Sequence, residues 1–305
     1  MKINKDQLFL KNISENESKI ERLVKVSFAA NGFTPVEKTI TDGLYWGENF
    51  FFLNKSSLWK SLKEEQKFRI LSRMNEHLLR EAYYIENAGM LYAAKMNIIA
   101  ESQEERSFFS IMGFEEAEHL QSLTPFLNAN ITASDVPSFS SHIGKIITEG
   151  DRPSNLFLIQ ILLEGWGLSY YQTLAEQSAD KGMREVFLRI IKDETRHHSA
   201  GVLLLEKKQT EQNTFLLDAF HELLNMVRIG PWTLIQEIKK EVGDLSEKHT
   251  KILISEINAV SDTNQKLARL KLLTEKSLGD ELLNKFQKNG IWLSYSEEDM
   301  LKAHS

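Results

Sequence analysis

The chain has 305 residues, 42% of them hydrophobic and 26% charged, with a formal net charge of −6. That is enough apolar sequence for a large core in one or two domains, and the acidic balance gives no electrostatic case for nucleic acid. The absence of cysteine excludes disulfides, thiolate zinc sites and cysteine-ligated iron–sulfur clusters, and only five Pro and 15 Gly point to a mostly helical protein.

In chain order, residues 1–63 read as a helical preamble with breaks. ESKIERLVKVSFA (17–29) has helical periodicity, and the NGFTP and TDGLYWGENF stretches interrupt it. MKINKDQLFLKN lacks the apolar stretch of a signal peptide, and no run of about 18 apolar residues occurs anywhere, so the expectation is a cytoplasmic protein with no membrane segment. Residues 65–101 read as one helix longer than about 50 Å at about 1.5 Å per residue. A second helix covers 103–126 and ends near Pro125. A Ser/Thr/Asn-rich connection follows, bracketed by Pro137 and Pro153 and containing a short helix around HIGKII; it is long enough to cross the length of a bundle. The third helix is predicted from about Asn155 to Asp180 and the fourth from Lys181 to Lys208. Beyond them, TFLLDAFHELLNMVRIG ends before Pro231, PWTLIQEIKKEVG follows, and the remainder is helical with turns near Gly243 and Asp262. The whole is predicted to be one all-α domain over 1–305, a bundle core at about 65–208 flanked by accessory helices in 1–63 and 214–305.

Two copies of one ligand unit lie in the predicted core. Glu86 precedes Glu116 by 30 residues, with His119 three further on; Glu164 precedes Glu194 by 30, with His197 three further on, and the copies are offset by 78. A Glu and a His at i, i+3 share a helical face, and carboxylate with imidazole is a donor set for iron and manganese. Both lone glutamates sit in apolar surroundings, AYYIENAGM and IQILLEGWG, where a carboxylate is costly unless paired or metal-bound. The competing explanation, surface glutamates with incidental histidines, fits any one member but not the set. The simplest assignment gives each metal one His, with Glu116 and Glu194 bridging and Glu86 and Glu164 terminal.

Metal-bound imidazoles usually donate their free N–H to a carboxylate. Glu115 and Asp193 each precede a bridging glutamate, so Asp193 is expected on His119 and Glu115 on His197. Arg196 is expected to pair with an acid flanking the core such as Glu118, and His198 to point away. Gly89 and Gly113 lie three residues from Glu86 and Glu116; glycine costs about 1 kcal/mol in a helix interior, and the expected justification is a cavity for substrate or O2. Phe109, Met112, Gly167, Leu168 and Tyr171 are candidate pocket walls by spacing, and Tyr83 shares the face of Glu86.

The order Glu, Glu-Glu-x-x-His, Glu, Asp-Glu-x-Arg-His over about residues 75–205 resembles the ferritin-like di-iron carboxylate oxidases and oxygenases. The resemblance implies a ferritin-like four-helix bundle in which two iron ions activate O2 as co-substrate to oxidise a bound small molecule. The subgroups differ from this chain at informative places. Leu123 stands where ribonucleotide reductase small subunits carry a radical Tyr. Gly165 to Leu168 stand where soluble hydroxylases and acyl-carrier-protein desaturases carry a Thr. Ile190 stands where arylamine N-oxygenases carry an extra His. Cyanobacterial aldehyde-deformylating oxygenases share the motif spacing and an aromatic third helix but are shorter. The expectation is therefore an O2-dependent oxygenase or oxidase for a small, largely apolar substrate. With no flavin or nicotinamide motif, its electrons come from an external reductase or ferredoxin. The alternatives are a manganese/iron ligand-binding oxidase and a non-catalytic iron-handling protein; a homodimer is family habit.

Overall fold

A computed structural model describes residues 19–127, 136–206, 210, 213–243, 245–288 and 290–304. Among them there are helices and no strand, and no helix is long and apolar enough to cross a membrane. The chain begins with α1 (Lys19–Ala30), a 3-10 turn at Leu53–Lys55 and the short α2 (Ser57–Ser61). The long α3 (Glu64–Ile98) and α4 (Gln103–Leu123) form a tight hairpin, closed by a 3-10 turn at Thr124–Phe126. Residues 128–135 of the long connection lie outside the described residues. The connection then continues as α5 (Ser138–Glu149), which packs on α3. A second long rod follows in three pieces: α6 (Arg152–Asn155), a π-helical stretch Leu156–Leu163, and α7 (Glu164–Gln177). It forms a hairpin with α8 (Lys181–Leu204), and the two hairpins meet through α4 and α8.

The C-terminal third wraps this assembly with α9 (Thr214–Arg228), α10 (Trp232–Val242), α11 (Glu247–Glu256), α12 (Ala259–Ser277), α13 (Asp280–Lys288) and α14 (Glu297–His304). α10 lies on α3, and α12 lies on the π-helical stretch and α7.

Helix α4, the second rod and α8 start where the sequence supplies side-chain caps, whereas α3 begins after Lys63 without one. The Ser102 hydroxyl accepts from Glu105 N (3.1 Å), the Asp151 carboxylate from Ser154 N (2.9 Å) and the Asp180 carboxylate from Met183 N (2.8 Å). Three boundaries differ from the sequence reading. The fourth helix stops at Leu204, and residues 207–209 of its predicted end lie outside the described residues. The turn expected near Asp262 falls at Asn258, whose left-handed φ of 53° breaks the chain before α12, leaving Asp262 in that helix's first turn. The third helix is not uniform, because its first half is π-wound.

The stretch TDGLYWGENF is irregular yet not peripheral. Tyr45 and Trp46 are wholly buried against Phe126 and Phe187. The buried Asn75 side chain accepts from Trp46 N and donates to Trp46 O (both 2.8 Å), and the indole N–H donates to Leu174 O (2.9 Å). Asp180 ties the same N-terminal region to α8 by accepting from Thr39 N and Ile40 N (2.6 Å each) and Thr39 Oγ1 (2.9 Å). Burial by itself would raise the Asp180 pKa, but these donors outweigh it and hold the carboxylate below its usual range.

Asp180→Ala is expected to cost about 3 kcal/mol in urea unfolding, a cap plus charge-assisted hydrogen bonds. Because the folded pKa is depressed, the contribution is complete above the unfolded value of about 3.9 and lost as pH falls through the folded value. The gap between wild type and Asp180→Ala should therefore close in acid.

Candidate metal centre

Two apolar clusters fill the interior: one holds Tyr84, Tyr92, Phe109 and Phe157, the other Trp46, Leu79, Tyr171 and Phe187. Between them lies a group of charged side chains that no apolar core would tolerate without compensation. Glu86 comes from α3, Glu116 and His119 from α4, Glu164 from the junction of the π-helical stretch with α7, and Glu194 and His197 from α8. Five of the six are buried; Glu164 is half-exposed.

Their donor atoms form two groups, each with all atoms within 4.8 Å of one another: Glu86, Glu116, His119 and Glu194, and Glu116, Glu164, Glu194 and His197. Glu116 and Glu194 belong to both. This buried cluster can hold metal ions. His119 Nδ1 faces Glu86 Oε2 at 2.9 Å and Glu194 Oε1 at 3.3 Å; His197 Nδ1 faces Glu194 Oε2 at 2.9 Å and Glu116 Oε1 at 3.3 Å. Both imidazoles thus aim the same nitrogen inward, and the other nitrogen of each meets an acid. His119 Nε2 lies 3.1 Å from Asp193 Oδ2, and His197 Nε2 lies 2.9 Å from Glu115 Oε2. Each supporting acid comes from the opposite hairpin, so the pairs cross-link α4 and α8. Arg196 donates to Glu115 Oε1 (2.5 Å) and Asp193 Oδ1 (2.7 Å), clamping both acids together. The expected Glu118 partner is therefore replaced by the two supporting acids, one of which sits on the same face of α8, three residues before Arg196. His198 turns away and meets Ile161 O at 3.0 Å.

As bare side chains these groups are under electrostatic pressure. Burial pushes Glu86 up to about 8, and burial together with Glu194 pushes Glu164 well above the usual carboxylate range. Burial opposes charge on His119, yet Asp193, Glu116, Glu194 and Glu86 outweigh it and raise its pKa. Two divalent cations bring +4 against the −4 of four carboxylates, which removes the need for shared protons. Two further observations fit bound cations. Glu116 Oε1 is buried with no hydrogen-bond donor. Gly89 makes a cradle for that carboxylate: a Cβ there would stand 2.5 Å from Glu116 Cδ.

The space beside Gly89 is thus taken by Glu116 and not by a cavity, and a Cβ at Gly113 would stand 3.5 Å from Ala93 Cβ, an ordinary contact that leaves no cavity there and no packing need for glycine. Phe109 and Met112 are fully packed, Phe109 edge-on to Tyr92 and Phe108. Tyr83 is buried edge-on to Tyr84. Tyr171 does more than line a wall: its hydroxyl donates to Glu86 Oε1. Gly167 and Leu168 are half-exposed, and a Cβ at Gly167 would meet nothing within 4 Å.

Two contributors do not stand out in the sequence. Gln160, wholly buried in the π-helical stretch, accepts from Tyr92 Oη (2.7 Å) and donates to His197 O (2.9 Å). Gly201 lets that stretch approach α8, since a Cβ there would stand 2.9 Å from Gln160 Cγ. The signal was a lone Gln inside LFLIQILL, a polar group that burial obliges to find partners. π-Helical turns recur at functional sites, and this one ends where Glu164 begins.

Asp193→Asn should weaken metal binding about 10–100-fold, the usual cost of removing an acid behind a ligating imidazole. Titration of the apo protein with manganese, followed by equilibrium dialysis, measures it.

Comparison with known proteins returns no match: no family model, no curated protein and no solved structure.

Proposed function

We propose that the chain is a ferritin-like four-helix carboxylate protein that holds two iron ions and uses O2 to oxidise a small, largely apolar organic molecule. The observation that carries this is the pair of overlapping four-residue donor groups sharing Glu116 and Glu194. Glu86 and His119 would complete one metal's set, Glu164 and His197 the other's. That matches the ligand order of di-iron carboxylate bundles, a Glu from each of two helices and a Glu-x-x-His from each of the other two.

Two bound irons would supply electrons and Lewis acidity for O2 chemistry. The protein's own residues set the conditions. Asp193 and Glu115 hold the Nε2 protons of His119 and His197, leaving each Nδ1 lone pair facing inward. The Tyr171 hydroxyl occupies Glu86 Oε1 and leaves Oε2 turned toward the centre. The apolar clusters packed beside the centre lower the local dielectric, which strengthens these interactions. The absence of cysteine and of a flavin or nicotinamide motif calls for an external electron donor. The same donor set suits manganese beside iron, so elemental analysis separates the two loadings.

The test is metal content of freshly purified protein together with O2 uptake after anaerobic ferrous loading. About two irons per chain and rapid O2 consumption support the proposal. No metal after loading overturns it, and metal without O2 uptake leaves an iron-handling protein.

A further inference from the structure

Tyr171 touches the candidate metal centre directly, since its buried hydroxyl donates to Glu86 Oε1. Its ring is also the inner end of a row. Tyr171 meets Tyr170 with ring centroids 5.9 Å apart, and Tyr170 stacks on Trp166 at 6.4 Å with the planes 23° apart. All three belong to α7. Trp166 and Tyr170, four residues apart, share a helical face; Tyr171, about 100° further round, turns in toward α3. Tyr171 is buried, whereas Tyr170 and Trp166 are half-exposed. The row therefore runs from a candidate ligand to solvent in two ring-to-ring steps, each within the contact range of aromatic pairs.

Aromatic contacts are abundant in this core, and most are plain packing. Chemistry sets this row apart. In a chain without cysteine, phenol and indole are the side chains that give up single electrons most readily, and the ring of phenylalanine does not. Two other ring contacts lead away from the centre, and both run into phenylalanine. Tyr171 meets Phe187 at 5.2 Å, behind which Trp46 is wholly buried; His197 meets Phe108, which meets Phe109. Of these three routes, the one along α7 alone is oxidisable at every ring and reaches solvent.

We infer that Tyr171, Tyr170 and Trp166 form a one-electron relay between the protein surface and the metal centre, with Trp166 as the entry point for electrons from an external one-electron carrier. Loss of an electron from Tyr171 to the O2-oxidised centre sends its hydroxyl proton along the existing hydrogen bond to Glu86 Oε1 and leaves a neutral phenoxyl radical. An electron from Tyr170 restores Tyr171, and the proton returns from Glu86. Tyr170, reachable by water, gives up its own proton and takes one back when Trp166 supplies the next electron. Trp166 loses its electron as an indole radical cation that keeps its N–H, and the carrier refills it. The sum is one electron carried from the carrier to the centre, with no net proton moved. Use of the row to feed the metals rests on the oxidase proposal; the relay along the three rings does not.

Flash photolysis of the full chain tests this, with metal content and O2 uptake measured on the same samples. Ruthenium tris(bipyridine) with a cobalt(III) ammine quencher withdraws single electrons from solvent-reachable rings. Electron paramagnetic resonance on protein grown with ring-deuterated tyrosine then tells a tyrosyl from a tryptophanyl radical. Wild type should trap a tyrosyl radical, and Tyr171→Phe should remove most of it. Trp166→Phe should lower its yield several-fold, and Trp166→Tyr should restore it. Phe and Tyr occupy nearly the same space beside Phe139, so a packing role for Trp166 would not separate the two variants. Equal yields in Trp166→Phe and Trp166→Tyr, or a tyrosyl signal unchanged in Tyr171→Phe, overturns the inference. The relay in protein that takes up no metal keeps the route and removes the oxidase; two irons and O2 uptake with equal yields in the two Trp166 variants do the reverse.

Discussion

Glu116→Ala is expected to lose both metal ions at once, falling from about two per chain to nearly none by elemental analysis. Glu116 belongs to both donor groups, so its removal takes one ligand from each, whereas Glu86 belongs to one alone. Glu86→Ala should therefore keep about one metal, with the Glu116, Glu164, Glu194 and His197 group intact. The same asymmetry should appear in thermal unfolding. A ligand present at a hundred times its dissociation constant stabilises the folded state by about 2.7 kcal/mol, so manganese should raise the melting temperature of wild type, raise that of Glu86→Ala less, and leave Glu116→Ala unmoved. Equal loss in the two variants would mean that the two groups are not separate metal positions. Two metals retained in Glu116→Ala would remove the dinuclear assignment altogether.

The long helices and the convergence of six side chains were legible in the sequence because each rests on a short-range regularity. Glu-x-x-His fixes a face by helical geometry alone, and equal 30-residue spacings place the lone glutamates at a matching level of each hairpin. The cross-pairing of Asp193 with His119 and of Glu115 with His197 could be read for the same reason, since an acid one residue before Glu194 or Glu116 projects toward the neighbouring helix.

What could not be read depends on tertiary contact. The π-winding of Leu156–Leu163 has no local code; it accompanies the contacts that Gln160 makes with Tyr92 and α8. Tyr45 and Trp46 lie in an aperiodic stretch, so no pattern announced that Asn75 and Phe187 would enclose them. Arg196 reads in the sequence as a partner for an acid flanking the core, and it meets two, Glu115 and Asp193; that these stand in place of Glu118 is not legible, because sequence cannot tell which of several nearby acids is already oriented by a histidine. Gly89 was legible as a small residue in a costly place, but not as the cradle of a particular carboxylate.

That cradle leads to the sharpest separation between folding and function. Gly89→Ala changes no ligand and adds one methyl group to the middle of α3, where alanine is favoured over glycine by about 1 kcal/mol. The methyl would stand 2.5 Å from Glu116 Cδ and Oε2 and 2.9 Å from Oε1. These atoms are the end of a flexible side chain, so the fold relieves the clash by swinging the carboxylate aside, and apo stability should be unchanged or slightly higher. The displaced carboxylate is the one shared by both donor groups, so metal content should fall nearly as far as in Glu116→Ala. A protein that melts at or above the wild-type apo temperature yet loads almost no iron is the expected result. Should Gly89→Ala instead load two metals normally, Glu116 would have to occupy a different rotamer when metal is bound, and the bridge would have to be built from Glu194 alone. Should it lose stability in step with metal, close packing between α3 and α4 would be the reason for the glycine.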